Sequence, residues 1–124
     1  IQIKILNLSE TKRILALITT VDAQYKNSTI QFFDTDWKLL SDITLPPVSV
    51  SDFFDSEKGG KELTERFEKF CIRNFVEMKF EPKSNILTLK SSVKQDFGKE
   101  LPKEFLSYIK ENISLKWENG LFLR

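Results

Sequence analysis

Arg13-Ile14-Leu15-Ala16-Leu17-Ile18-Thr19-Thr20-Val21 decides how this chain is read. The run is apolar at odd and even positions alike, so an extended strand built from it is apolar on both faces. Nine residues also suffice for a helix, but the Thr19-Thr20-Val21 ending is β-branched and favours a strand. Such a strand is central and covered on both sides, or covered on one side and partnered beyond this stretch of chain.

The reading extends outward from there. Upstream, Ile1, Ile3 and Ile5 alternate with Gln2 and Lys4, which predicts a strand with its isoleucines on the buried face. Ser9 to Lys12 is the polar loop of a hairpin. Downstream, Asp22 to Asn27 is a polar connection, and Ser28 to Phe33 is a strand with Ile30 and Phe32 on one face. Asp34-Thr35-Asp36 is a turn, since Asp side chains bond their own backbone there. Trp37 to Leu40 returns as a fourth strand, extended by Ile43 to Leu45, and Pro46-Pro47 ends the sheet.

The middle is helical. Ser51 caps a short helix with Phe53 and Phe54, and Gly59-Gly60 breaks it. Lys61 to Arg73 carries Leu63, Phe67, Phe70 and Cys71 on one stripe, with Glu62–Arg66 and Glu65–Lys69 as i,i+4 pairs opposite. The last third alternates again at Val76, Met78 and Phe80, and Ile86 to Lys90 completes a hairpin. Pro102 opens a helix with Leu101, Phe105, Tyr108 and Ile109 on its buried stripe. Ile113, Leu115 and Trp117 mark a final strand before the Asn119-Gly120 hairpin signal. Strand runs separated from helix runs predict one α+β domain over residues 1–124: an antiparallel β-sheet with two to three helices packed on one face. By analogy this is the layout of β-lactamase-inhibitor-like or cystatin-like domains.

Composition excludes several function classes. The chain has 124 residues, with 40% hydrophobic and 30% charged, an ordinary globular balance. Nineteen Lys and Arg against eighteen Asp and Glu give a net charge of +1, without the basic footprint of a nucleic-acid binder. There is no His, which removes Ser–His and Cys–His catalysis and His-ligated metals. The single Cys71 excludes an intrachain disulfide and a multi-cysteine zinc site. No apolar run is long enough to span a bilayer.

The remaining chemical candidates are weak. Asp34 and Asp36 form an Asp-x-Asp pair, but the Gly and terminal Glu of a calcium loop are missing. Ser9-x-x-Lys12 and Ser91-x-x-Lys94 match the Ser-x-x-Lys spacing of serine–lysine acyl enzymes without the companion motifs. Cys71 sits on an apolar stripe near a helix C-terminus, where the dipole disfavours a thiolate. No catalytic set, metal set or cofactor motif emerges. Tyr25, Asp34, Asp36 and Trp37 are the best binding candidates, because aromatics cluster around the turn and a platform of exposed rings suits a protein or a glycan.

Four segments resemble a known family: Ile1 to Leu6, Ile14 to Val21, Ser28 to Leu40, and Asn112 to Glu118. They are similar to uncharacterised domains of secreted or envelope proteins from gut anaerobic bacteria. The resemblance implies an exported location and supplies no catalytic residue. Members of that family carry a leader and a further segment before the first strand, which implies that this chain is the C-terminal part of a longer exported precursor. The expected function is a non-catalytic exported or envelope module that binds protein or glycan. The alternatives are a small carboxylate enzyme using Asp34 and Asp36, or a structural subdomain of a larger chain. An apolar surface beside Ile1 would mark the last of these.

Overall fold

The computed structural model describes residues 1–124. Seven strands form two antiparallel sheets rather than one. The first holds β1 (Gln2–Asn7), β2 (Arg13–Asp22) and β3 (Lys26–Phe33) in the order β1-β2-β3. The second holds β4 (Val76–Phe80), β5 (Ile86–Ser91), β6 (Asn112–Glu118) and β7 (Leu121–Leu123) in the order β4-β5-β6-β7. Four short helices complete an α+β fold: α1 (Ser56–Gly59), α2 (Lys61–Phe70), α3 (Val93–Phe97) and α4 (Lys103–Leu106).

Two cores divide the apolar residues. The larger lies between the sheets, where Leu6, Ile14, Ile18 and Phe32 meet Leu87, Leu89, Leu115 and Trp117. The Phe32 ring stacks on Trp117 at 6.4 Å and lies 5.9 Å from Phe122. The Trp117 indole N–H donates to the Asn7 carbonyl at 2.8 Å, so its polar edge is satisfied at the end of β1. The smaller core belongs to the helices and is mainly aromatic, with Phe54, Phe67 and Phe105 in mutual contact. All eleven Phe are buried or half-buried.

Strand β1 reverses the expected faces. Ile1, Ile3 and Ile5 point outward and are more than half exposed, while Gln2, Lys4 and Leu6 point inward. The cause is the open edge of β4, which crosses the inner face of the first sheet. The Gln2 side-chain amide donates to the Met78 carbonyl at 3.1 Å and accepts from the Phe80 N–H at 3.3 Å, as another strand's backbone would. Ser28 Oγ accepts from the Met78 N–H at 2.9 Å, and Asn27 Oδ1 from the Val76 N–H at 3.1 Å. Lys4 Nζ donates to the Glu81 carbonyl at 3.1 Å. Polar side chains thus close a sheet edge that no strand pairs. A buried backbone group left without a partner costs about 1–3 kcal/mol, so an isoleucine in the place of Gln2 would gain contact area and forfeit two bonds.

Other expectations shift for local reasons. The strand expected over Trp37 to Leu40 shrinks to a single bridge, Phe33 to Leu39. Asp34 Oδ1 takes the Asp36 and Lys38 N–H groups, both at 2.9 Å, which withdraws them from any ladder. The first helical piece is a 3₁₀ turn over Val50–Phe53 whose N-cap is Ser49, not Ser51. The helix expected around Leu101 to Ile109 is one turn long, because Ile109 pairs as a bridge with Phe54 and the Tyr108 carbonyl accepts from the Asp55 N–H at 2.7 Å. Arg66 pairs with Glu104 of α4 instead of Glu62. Gly60, at φ +85° between α1 and α2, and the Asn119-Gly120 turn, at φ +47° and +96°, have the left-handed geometry their positions in the sequence predict.

Candidate functional site

The four binding candidates do not form one site. Tyr25 stacks on Phe75, with centroids 5.8 Å apart, at the start of β3. There it lines a shallow polar cleft of about 230 Å³ with Asp22, Lys26, Glu77 and Lys90. Asp34, Asp36 and Trp37 lie at the other end of β3, roughly 25 Å away for an eight-residue strand. The Asp34 carboxylate caps its own turn, as described above, and is occupied by backbone donors. Asp34 and Asp36 line an open groove of about 660 Å³ with Lys12 and Arg13. No group of three or more His, Cys, Asp or Glu side chains converges anywhere.

The nucleophile candidates have structural surroundings. Ser91 Oγ donates to Asn74 Oδ1 at 2.6 Å and accepts from the Val93 N–H at 3.2 Å, whereas Lys94 reaches Glu111. The lysine is therefore engaged elsewhere and does not serve that serine. Cys71 is buried in the helical core, and burial, helped by the negative charge of Asp96, pushes its thiol up to about 11. It remains a protonated thiol at neutral pH.

Trp37 belongs to a different feature. Its backbone is held at φ +61°, an unusual geometry for a bulky residue, and its ring lies 5.7 Å from Phe33. Phe33 in turn sits on the outer face of the first sheet. The register aligns Ile5, Leu15 and Phe33 in one row across that face, and Ile3, Leu17 and Gln31 in the next. Ile1 and Val21 extend it by strand alternation, and Leu39 joins it through its bridge to Phe33. Ile1, Ile3, Ile5, Val21, Trp37 and Leu39 are between 55% and 87% exposed. The outer face of the second sheet is the internal control. Its rows run Glu77, Lys90, Asn112 and Lys79, Thr88, Ser114, with apolar residues only toward the β7 end.

The apolar face was half legible in the sequence. The two-faced Arg13–Val21 run announces it, because one of its faces must meet something outside the main core. In β1 alternation defines two faces without saying which is buried, and the isoleucines take the solvent side.

Comparison with known proteins gives the fold a precedent and no activity. A solved structure, a domain of an uncharacterized protein from Porphyromonas gingivalis W83, superposes with a TM-score of 0.78 at 20% identity. The alignment covers 98% of this chain and 63% of that one, so the chain spans less than two thirds of the solved chain it matches. No curated protein sequence matches. The sequence profile described as "Protein of unknown function (DUF3256)" matches residues 1–122, nearly end to end, and the chain therefore belongs to the DUF3256 family.

Proposed function

We propose that this chain is a non-catalytic module of an exported or envelope protein and that it acts by packing the outer face of its first sheet against another polypeptide surface. The observation that carries this is the contiguous exposed apolar face. Burying a large apolar side chain fully contributes about 1.5–3 kcal/mol, so six such residues more than half exposed leave about 6–11 kcal/mol of apolar burial unused. Apart from Phe33 and Trp37 the patch is aliphatic, and it offers few directional donors or acceptors, which suits protein better than glycan. Export rests on the resemblance of the strand segments to envelope domains. The enzyme alternative loses its best acid, because the Asp34 carboxylate is engaged by its own turn.

The test is site-specific photocrosslinking in cells that produce the natural protein, followed by fractionation. A photoreactive residue at Ile3 or Ile5 is expected to link to polypeptide, while one at exposed Lys83 does not, and the protein is expected in the envelope or the medium. Equal yields at Ile3 and Lys83 would remove the contact-surface reading, and a cytosolic protein would remove export.

A further inference from the structure

The binding reading leaves open what covers the apolar face. Building on it, we infer that the cover is another segment of the same polypeptide, so that β1, β2 and β3 form the middle layer of a three-layer unit.

Three observations lead there. The first is composition. Transient interfaces are about as polar as ordinary surface, favour Tyr, Trp and Arg, and under-represent Leu and Val at their energetic centres. Phe33 and Trp37 apart, the apolar residues of the face are aliphatic, and Ile3, Ile5, Leu15, Leu17 and Val21 are the residues of a permanent core. Strand β2, apolar on both faces from Ile14 to Ile18, has the pattern of a strand buried from both sides.

The second is size. Three strands about 4.8 Å apart and some six residues long give a face of about 14 by 20 Å. Obligate dimers bury roughly 2,000 Å² or more in all, whereas contacts between parts of one chain need only about 600–1,500 Å². A face this small favours a tethered cover, for which the effective concentration is millimolar and a modest contact is enough.

The third is the extent of the related fold. The match leaves 37% of the Porphyromonas chain unmatched, so a protein with this fold carries further polypeptide beside it, the kind of occupant a tethered cover requires.

The experiment uses the complete natural polypeptide, with Ile3→Cys and Lys83→Cys made separately. Cys71 stays in place, since its buried, protonated thiol is a poor nucleophile. Maleimide labelling is followed by mass spectrometry on protein shown to be monomeric by light scattering. The thiol at position 3 is expected to react at least tenfold more slowly than that at position 83. Equal rates in the monomer overturn the inference, as does a natural polypeptide with no residues beyond those described. Protection that vanishes on dilution assigns the cover to a second copy. Rapid labelling with a cellular crosslink from Ile3 to a different protein assigns it to a separate partner. The last two results refute the tethered cover and retain the contact surface, whereas rapid labelling with no crosslink refutes both.

Discussion

The two sheets turn their backs on the same solvent with opposite chemistry. Behind β4, β5 and β6 stand Lys79, Thr88, Ser114 and Lys116, which water solvates well. Behind β1 and β2 stand Ile3, Ile5, Leu15, Leu17 and Val21, joined by Phe33, Trp37 and Leu39, with Thr19, Thr29 and Gln31 at the margin of the patch. Scattered apolar residues on a surface need no explanation, since more than half of any protein surface is apolar. A contiguous apolar patch spanning β1 and β2 and reaching Phe33 is different, particularly beside a sheet in the same chain that mostly follows the usual polar-outside pattern. The difference shows that the apolar face is specific to the first sheet and is not a general looseness of composition.

The largest effect that tests this contrast lies on the shared interior. Phe32→Ala removes a ring that packs on both Trp117 and Phe122 and should cost about 3–5 kcal/mol in urea denaturation. A loss no greater than that of Ser114→Ala would mean that the sheets do not pack as described. Next comes Ile3→Ala in the complete protein. A covered face predicts a loss of about 2 kcal/mol, whereas Thr88→Ala behind the second sheet should stay within about 0.5 kcal/mol. If the two variants behave alike, the contrast between the faces has no energetic content.

Gln2→Leu is a smaller and sharper probe. It makes β1 more apolar, yet leaves the Met78 carbonyl and the Phe80 N–H without their partner, and should cost about 1–2 kcal/mol. A neutral or stabilising result would show that the β4 edge is satisfied by water. The smallest effect is electrostatic and lies at the β7 end of the second sheet. There a hydrogen bond from Arg124 holds the Asp52 carboxyl below its ordinary 3.8. A depressed carboxyl stabilises the fold above its unfolded value, and that contribution is lost as pH falls through the lower folded value. Asp52→Asn should therefore flatten the stability curve below pH 3.8, by no more than about 1 kcal/mol for such an exposed pair. An unchanged acid limb would show that the pair is not formed in solution.

Local signals made most of the elements legible, and long-range ones were not. The Arg13–Val21 run, the Phe67 stripe of α2 and the Asn119-Gly120 turn each carry their reason within a few residues. The split into two sheets does not, because strand alternation is identical whether strands join one sheet or two. The orientation of β1 was hidden for a related reason: Gln2 faces inward to bond a strand 76 residues away. Helix α3 escaped because Ser92 to Phe97 is too short to display a period. At the candidate site, Trp37 was noticed for its aromaticity, but its significance lies in the aliphatic rows beside it. Those rows are visible only once Ile5, Leu15 and Phe33 are aligned by register.

The side chains that close the edge of β4 also impose an order in time. The β1–β2 and β2–β3 ladders join consecutive strands whose partners lie no more than 18 residues apart, so this meander is expected to assemble early. The bonds from Gln2 to Met78 and Phe80 enclose 76 and 78 residues, and that from Trp117 to Asn7 encloses 110. Closing loops of that length costs more chain entropy than closing the hairpins, so docking of the two sheets is expected to follow formation of the meander. Until then the nascent meander has both of its apolar faces in water, and it is in this interval that the chain is most open to mispairing with its neighbours.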